Sequence, residues 1–124
     1  MAAPAGRHYA DVPGVRSREA RTQTAHAMYV GIGILDLELP YAEDLKAKRR
    51  IVRSLVERLH SRHRISAAET GALDRRQRAE VGVAIVGASA ATVESMLEEV
   101  LRLADAQDGA VVIGWEPTVL EEGG

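Results

Sequence analysis

The residues of this 124-residue chain best suited to chemistry are cations. Lys46, Arg49, Arg50 and Arg53 recur at spacings of three and four. On a helix each residue advances by about 100°, so this spacing turns all four side chains to one side. A row of fixed positive charges does not make or break bonds. It neutralises phosphates and can follow a nucleic-acid backbone. Arg75, Arg76 and Arg78 extend the row if their loop lies beside that helix. The competing reading is a solvated helix face that favours solubility and offers partners to the acids of a neighbouring subunit.

Other sets have simpler explanations. His60 and His63 stand one helical turn apart, as two metal ligands would, but only Glu57 is near enough to act as a third. They read as boundary or exposed histidines, and no metal or cofactor is expected. Gly87-Ala88-Ser89 before a helix offers backbone amides to an anion, yet it lacks the lysine and further glycines of a phosphate loop. An ordinary strand-to-helix turn is the expectation. Asp36 and Glu38 share a strand face, where two carboxylates can work as acid and base. Exposed alternation, or pairing with Arg78 across a sheet, explains them as well. There is no cysteine, and no serine–histidine–acid set has motif support. No catalytic residue is assigned, and enzyme activity is not expected.

Those cations need a scaffold, and the composition limits it. Phe is absent, and Trp115, Tyr9, Tyr29 and Tyr41 are the only aromatics, so the core must be aliphatic. Without cysteine the chain has no disulfides and suits a reducing compartment. No apolar run approaches the roughly 20 residues that cross a bilayer. The expectation is a cytoplasmic protein with no membrane contact. The net charge of −2 hides an asymmetry. Lys46 to Arg64 holds eight Lys or Arg and one acid, whereas Glu94 to Glu122 holds eight acids and one base. Long-range fields follow that distribution, not the sum.

The segment through residue 27 is rich in Ala, Pro, Gly, Arg and Thr and poor in large apolar residues. It reads as a disordered extension, either a mildly basic arm or a segment without function. Tyr29 to Leu39 reads as a strand. Val30, Ile32 and Ile34 fall on one face and Leu35, Leu37 and Leu39 on the other, which suggests a bulge or cover on both sides. Asp44 is a good N-cap for a helix from Leu45 to about His63, with Leu45, Val52, Leu55, Val56 and Leu59 on its dry side. Strands are expected at Ile65–Thr70, Glu80–Val86 and Ala110–Trp115. A second helix, capped by Ser89, is expected from Ala90 to about Ala106. The residues from Glu121 onward read as a mobile acidic tail.

Strand, helix, strand, strand, helix, strand, joined by right-handed crossovers, is an α+β, ferredoxin-like βαββαβ sandwich over residues 28–120. Its four-stranded antiparallel sheet carries both helices on one face. The other face is left open. Gly31, Gly33, Gly82 and Ala84 are expected there, and such small residues allow close approach of another backbone. A second copy of the domain is the simplest occupant. RNA-binding domains of this fold order stack bases on aromatics of the central strands. Here the third strand has none and the first has only Tyr29, so nucleic acid would have to bind elsewhere, electrostatically.

Four runs carry a family resemblance: Tyr29-Val30-Gly31; Leu37-Glu38-Leu39-Pro40; Leu45-Lys46-Ala47-Lys48-Arg49-Arg50-Ile51-Val52-Arg53-Ser54-Leu55; and Gln77-Arg78-Ala79-Glu80-Val81-Gly82-Val83-Ala84. In order and spacing, from Met28 to about Leu120, the chain resembles the YlxP-like family, catalogued as domain of unknown function 503. The resemblance implies a ferredoxin-like fold and a bacterial protein often encoded beside translation-initiation and ribosome-maturation factors. It implies no reaction and hence no catalytic residues. Arg76 stands where members usually have an aromatic, His63-Arg64 where they have Phe-Asn, and Trp115 and Pro117 interrupt a region that is normally more regular. These departures mark a divergent member. The leading expectation is a non-catalytic protein that contacts RNA or the ribosome through its first helix. The alternatives are a homodimeric assembly module built on the open sheet face, or a paralogue that binds a small molecule or acts in a biosynthetic pathway.

Overall fold

The structure, a computed structural model, describes residues 27–62 and 64–123. Residues 1–26 of the N-terminal extension expected through residue 27, and the expectation for His63, lie outside the described residues. Along the chain come strand β1 (Met28–Glu38), helix α1 (Leu45–His60), strands β2 (Ile65–Gly71) and β3 (Arg78–Gly87), helix α2 (Ala90–Asp105) and strand β4 (Val111–Glu122). The sheet is antiparallel in the order β2-β3-β1-β4, with both helices on one face. This is the ferredoxin-like sandwich.

Each element follows local chemistry. The Asp44 side chain accepts from the Ala47 amide and starts α1, and Ser89 accepts from the Thr92 amide and starts α2. The core lies between the sheet and the helices. It is built from Leu35, Leu37, Leu39, Leu55, Leu59, Val81, Ile85, Val93 and Val100, all essentially inaccessible to water. Fully burying one such side chain contributes roughly 1.5–3 kcal/mol, so an aliphatic core of this kind stabilises the fold without aromatic bulk.

Two expectations about the sheet are corrected. First, Val30, Ile32 and Ile34 do share one face of β1 and Leu35, Leu37 and Leu39 the other, but β1 itself has no bulge. Its alternation runs unbroken, with Gly31, Gly33, Leu35 and Leu37 toward the helices and Ile32, Asp36 and Glu38 away from them. Gly31 and Gly33 therefore belong to the buried face, not the open one. A Cβ on Gly31 would sit 2.5 Å from Val93 Cγ1, and one on Gly33 would sit 2.3 Å from the Trp115 ring. These glycines exist because α2 and the indole press on β1 from within. The bulge lies elsewhere, in β4, where the register with β1 slips between Asp36 and Leu37. Second, the expected mobile tail begins too early. β4 runs on past Trp115, and Glu121 and Glu122 pair with Tyr29 and Met28. The Tyr29 hydroxyl donates to Glu121 at 3.1 Å, which helps hold the end of the strand. Burial of β1 between β3 and β4 makes a long partner strand favourable, a pull that local composition does not record.

Candidate nucleic-acid interface

Helix α1 divides its cations by angle. Lys46, Arg49, Arg50 and Arg53 span an arc of about 100° and roughly 10 Å of helix axis. All four are exposed, and together they line one shallow concavity of about 260 Å³. None has an ion-pair or hydrogen-bond partner within the described residues. One acid shares the arc: exposed Glu57 follows Arg53 by one turn and offsets part of the charge, though it makes no ion pair with it. By contrast, the Arg58 guanidinium donates to Gln107 at 2.7 Å, and Arg62 lies 3.6 Å from Glu99. Arg58 thus ties α1 to the turn after α2, and Arg62, just past α1, reaches back to α2. Glu99 also accepts from Arg102, and this bond, more than the flanking charges, holds its carboxyl below the usual glutamate value.

Lys48 takes a different course. It is 1% exposed, its ammonium stands 2.9 Å from the Glu69 carboxylate, and it donates to the Ala72 carbonyl. The contact fastens α1 to the end of β2 and to the turn that follows. Ala72 itself takes a left-handed conformation with φ 55°. Counting charges along the segment groups Lys48 with the surface row. Helical phase separates it: at 100° per residue Lys48 falls between Leu55 and Leu59, inside the dry stripe.

The loop arginines are not gathered into the α1 concavity. Arg75, Arg76 and Arg78 line a separate depression of about 570 Å³ at the N-terminal end of α1, with Glu43, Asp44 and Asp74. Acids share that depression, so its field is mixed. Leu45 in its wall places it beside the basic arc but not in it. Arg78 is half-buried and stands opposite Glu38 in the sheet register, though no ion pair joins them.

The remaining candidates resolve into structure. His60 Nε2 lies 2.9 Å from the Ala67 carbonyl and 3.2 Å from the Ala67 amide. It occupies backbone groups of β2, an edge strand whose outer polar groups would otherwise face water. Among the described residues no cluster of His, Asp and Glu could hold a metal. Gly87-Ala88-Ser89 is the turn into α2, with Ser89 as cap and Gly87 close under Val93. Asp36 faces Glu80 on the open side, and both stand in a solvated row. Tyr29 packs on the core side of β1, as does Trp115 in β4. The described part of the open face therefore offers no aromatic to a base. Gly82 and Ala84 do lie on that face, as expected, next to Ile34 and Ile32 of β1. No helix among the described residues is long and apolar enough to cross a membrane.

Comparison with known proteins places the chain. The model of the protein family of unknown function DUF503 matches residues 30–116, and the chain belongs to that family. No curated protein matches the sequence. Among solved structures, a C-terminal segment of the alpha subunit of aIF2 from Pyrococcus abyssi is similar at 11% identity, with a TM-score of 0.42 over 78% of this chain. This chain spans about half of that one, 51%. The de novo designed protein Foldit4 is similar at 19% identity, over 80% of this chain and 99% of its own, with a TM-score of 0.40. The designed protein LFR1 1, with ferredoxin fold, is similar at 15% identity, over 80% and 88%, with a TM-score of 0.37.

Proposed function

From this family membership and the geometry of α1, we propose that the chain is a non-catalytic protein that contacts RNA, free or within the ribosome, through the phosphates. Lys46, Arg49, Arg50 and Arg53 carry the reading: four exposed cations on one arc, none of them in an ion pair among the described residues. Holding such charges side by side costs self-repulsion, and a polyanion relieves it by releasing its own counterions. Arg75 and Arg76 adjoin the arc and add a weaker contact, offset by Glu43 and Asp44. Recognition is by charge and shape, because the sheet has no aromatic platform for bases. The protein acts in the cytoplasm, where such RNA is found.

The test is binding to a structured RNA at several salt concentrations. Four phosphate contacts predict that affinity falls about 50–150-fold between 50 and 200 mM salt. Changing all four cations to Ala should remove most of the affinity at 50 mM and flatten the salt dependence. An unchanged affinity in that variant, with the fold intact, would rule the arc out.

A further inference from the structure

The loops beside the basic arc expose an aromatic that phosphate binding does not use. Leu39 to Ala42 is a tight turn, closed by the Ala42 amide, which donates to the Leu39 carbonyl at 3.2 Å. Leu39 and Ala42 are buried and anchor both ends of the turn, while Tyr41 at its tip is 86% exposed. Gln77, in the connection from β2 to β3, braces the turn twice. Its carbonyl accepts from the Leu39 amide at 2.9 Å, and its side-chain amide donates to the Pro40 carbonyl at 3.2 Å. The tyrosine is thus held in water by a fixed backbone. A depression of about 340 Å³ lies beside it, lined by Pro40, Tyr41, Ala42, Glu43, Arg76 and Gln77. It shares Glu43, Arg76 and Gln77 with the larger depression at the start of α1. Lys46, the first cation of the arc, follows Tyr41 by five residues, a reach of at most about 18 Å.

We propose that Tyr41 stacks an unpaired base of the RNA whose phosphates the arc holds; the inference rests on that reading of the arc. The ligand follows from the chemistry of the depression. Glu43 shares it with Arg76, so a phosphate gains little there. A base carries no net charge, and its flat face gains from an aromatic ring and from a guanidinium alike. The braced turn has already fixed the backbone of Tyr41, which lowers the ordering cost of the contact. Every base has such a face, so stacking is sequence-tolerant, and recognition remains a matter of charge and shape. A base inside a duplex already stacks on its neighbours. The preferred RNA therefore carries an unpaired nucleotide beside the segment that meets the arc.

The experiment measures binding of the full chain to three RNAs at several salt concentrations. One is a blunt duplex, one the same duplex with a short overhang, and one has that overhang made abasic, with its phosphates kept. The overhang with bases should bind at least about 5-fold more tightly than the abasic one, as one stacked base implies. Tyr41→Ala should abolish that difference and leave the affinity for the blunt duplex unchanged, whereas Tyr41→Trp should keep the difference. The side chain is largely in water, so the fold tolerates both changes, and circular dichroism checks it. Tyr41→Ala should also leave the salt dependence as it is, because stacking releases no counterions, while loss of the arc cations flattens it. Equal binding of the two overhangs, or a difference that survives Tyr41→Ala, would overturn the proposal and leave the arc in place. So would a loss that Tyr41→Ala causes equally on all three RNAs. No binding of any RNA by the parent protein would overturn the arc and this proposal with it.

Discussion

Replacing Lys48 by Met tests whether the basic run of α1 is one functional unit or two. Met keeps an unbranched apolar stem of similar length, so packing changes little. The ammonium is lost, and with it the 2.9 Å pairing to Glu69 and the bond to the Ala72 carbonyl. Lys48 is 1% exposed and Glu69 19%, so the pair sits at the buried end of the range. Removing one partner of a buried pair costs about 3–5 kcal/mol, because the other charge is left without compensation. The Glu69 oxygen facing Lys48 is itself buried, although the side chain as a whole is 19% exposed, so the loss should be at least about 3 kcal/mol. For a domain of this size 1 kcal/mol moves the melting temperature by roughly 4–8 °C, so a fall of about 12–24 °C should follow. Urea unfolding followed by circular dichroism measures it. Adding Glu69→Gln to Lys48→Met removes the stranded carboxylate and should restore at least 1 kcal/mol, which a double-mutant cycle would reveal as coupling. Below its melting point the Lys48→Met protein should bind RNA as the parent does, since the lost charge never faced solvent. A loss of stability under 1 kcal/mol, or strictly additive single changes, would refute the reasoning.

Two further perturbations probe the corrected sheet. Gly31→Val should destabilise the fold by at least ~1–3 kcal/mol, because its first side-chain atom already meets Val93 at 2.5 Å; wild-type stability in urea would return Gly31 to the open face. Glu121→Gln should lower the Tyr29 pKa towards the ordinary tyrosine value, since the hydrogen bond to Glu121, and after it the carboxylate's charge, raise it. The sign follows: this stabilisation is complete below the ordinary tyrosine range and is lost as pH rises through the raised value. NMR titration of Tyr29 reads it, and an unchanged value would mean that β4 does not hold its end as described.

Much of the architecture was legible in period and punctuation. Asp44 and Ser89 mark both helix starts, and the alternation Val81, Val83, Ile85 marks β3 with its buried side. The candidate arc was equally legible, because exposed cations at helical spacing need no tertiary partner to take their place. Lys48 was left out of the arc by its angle on the helix, but its pairing with Glu69 was not foreseen. The glycines of β1 were harder. A rule that sends large side chains inward and small ones outward fails where a neighbouring element already fills the space, and nothing near Gly31 or Gly33 announces Val93 or Trp115.

The chain's own order of residues thus determined the elements, their caps, the aliphatic core and the basic arc, all of which follow from contacts within a few turns or a single strand. Tertiary structure alone decided which side Gly31 and Gly33 of β1 face, how far β4 runs, and that Lys48, already turned to the dry side by helical phase, meets Glu69 there. Each of these depends on residues tens of positions apart coming within a few ångströms. The exposed basic arc is therefore a property of one helix, whereas the buried setting of Gly31 and Gly33 is a property of the fold.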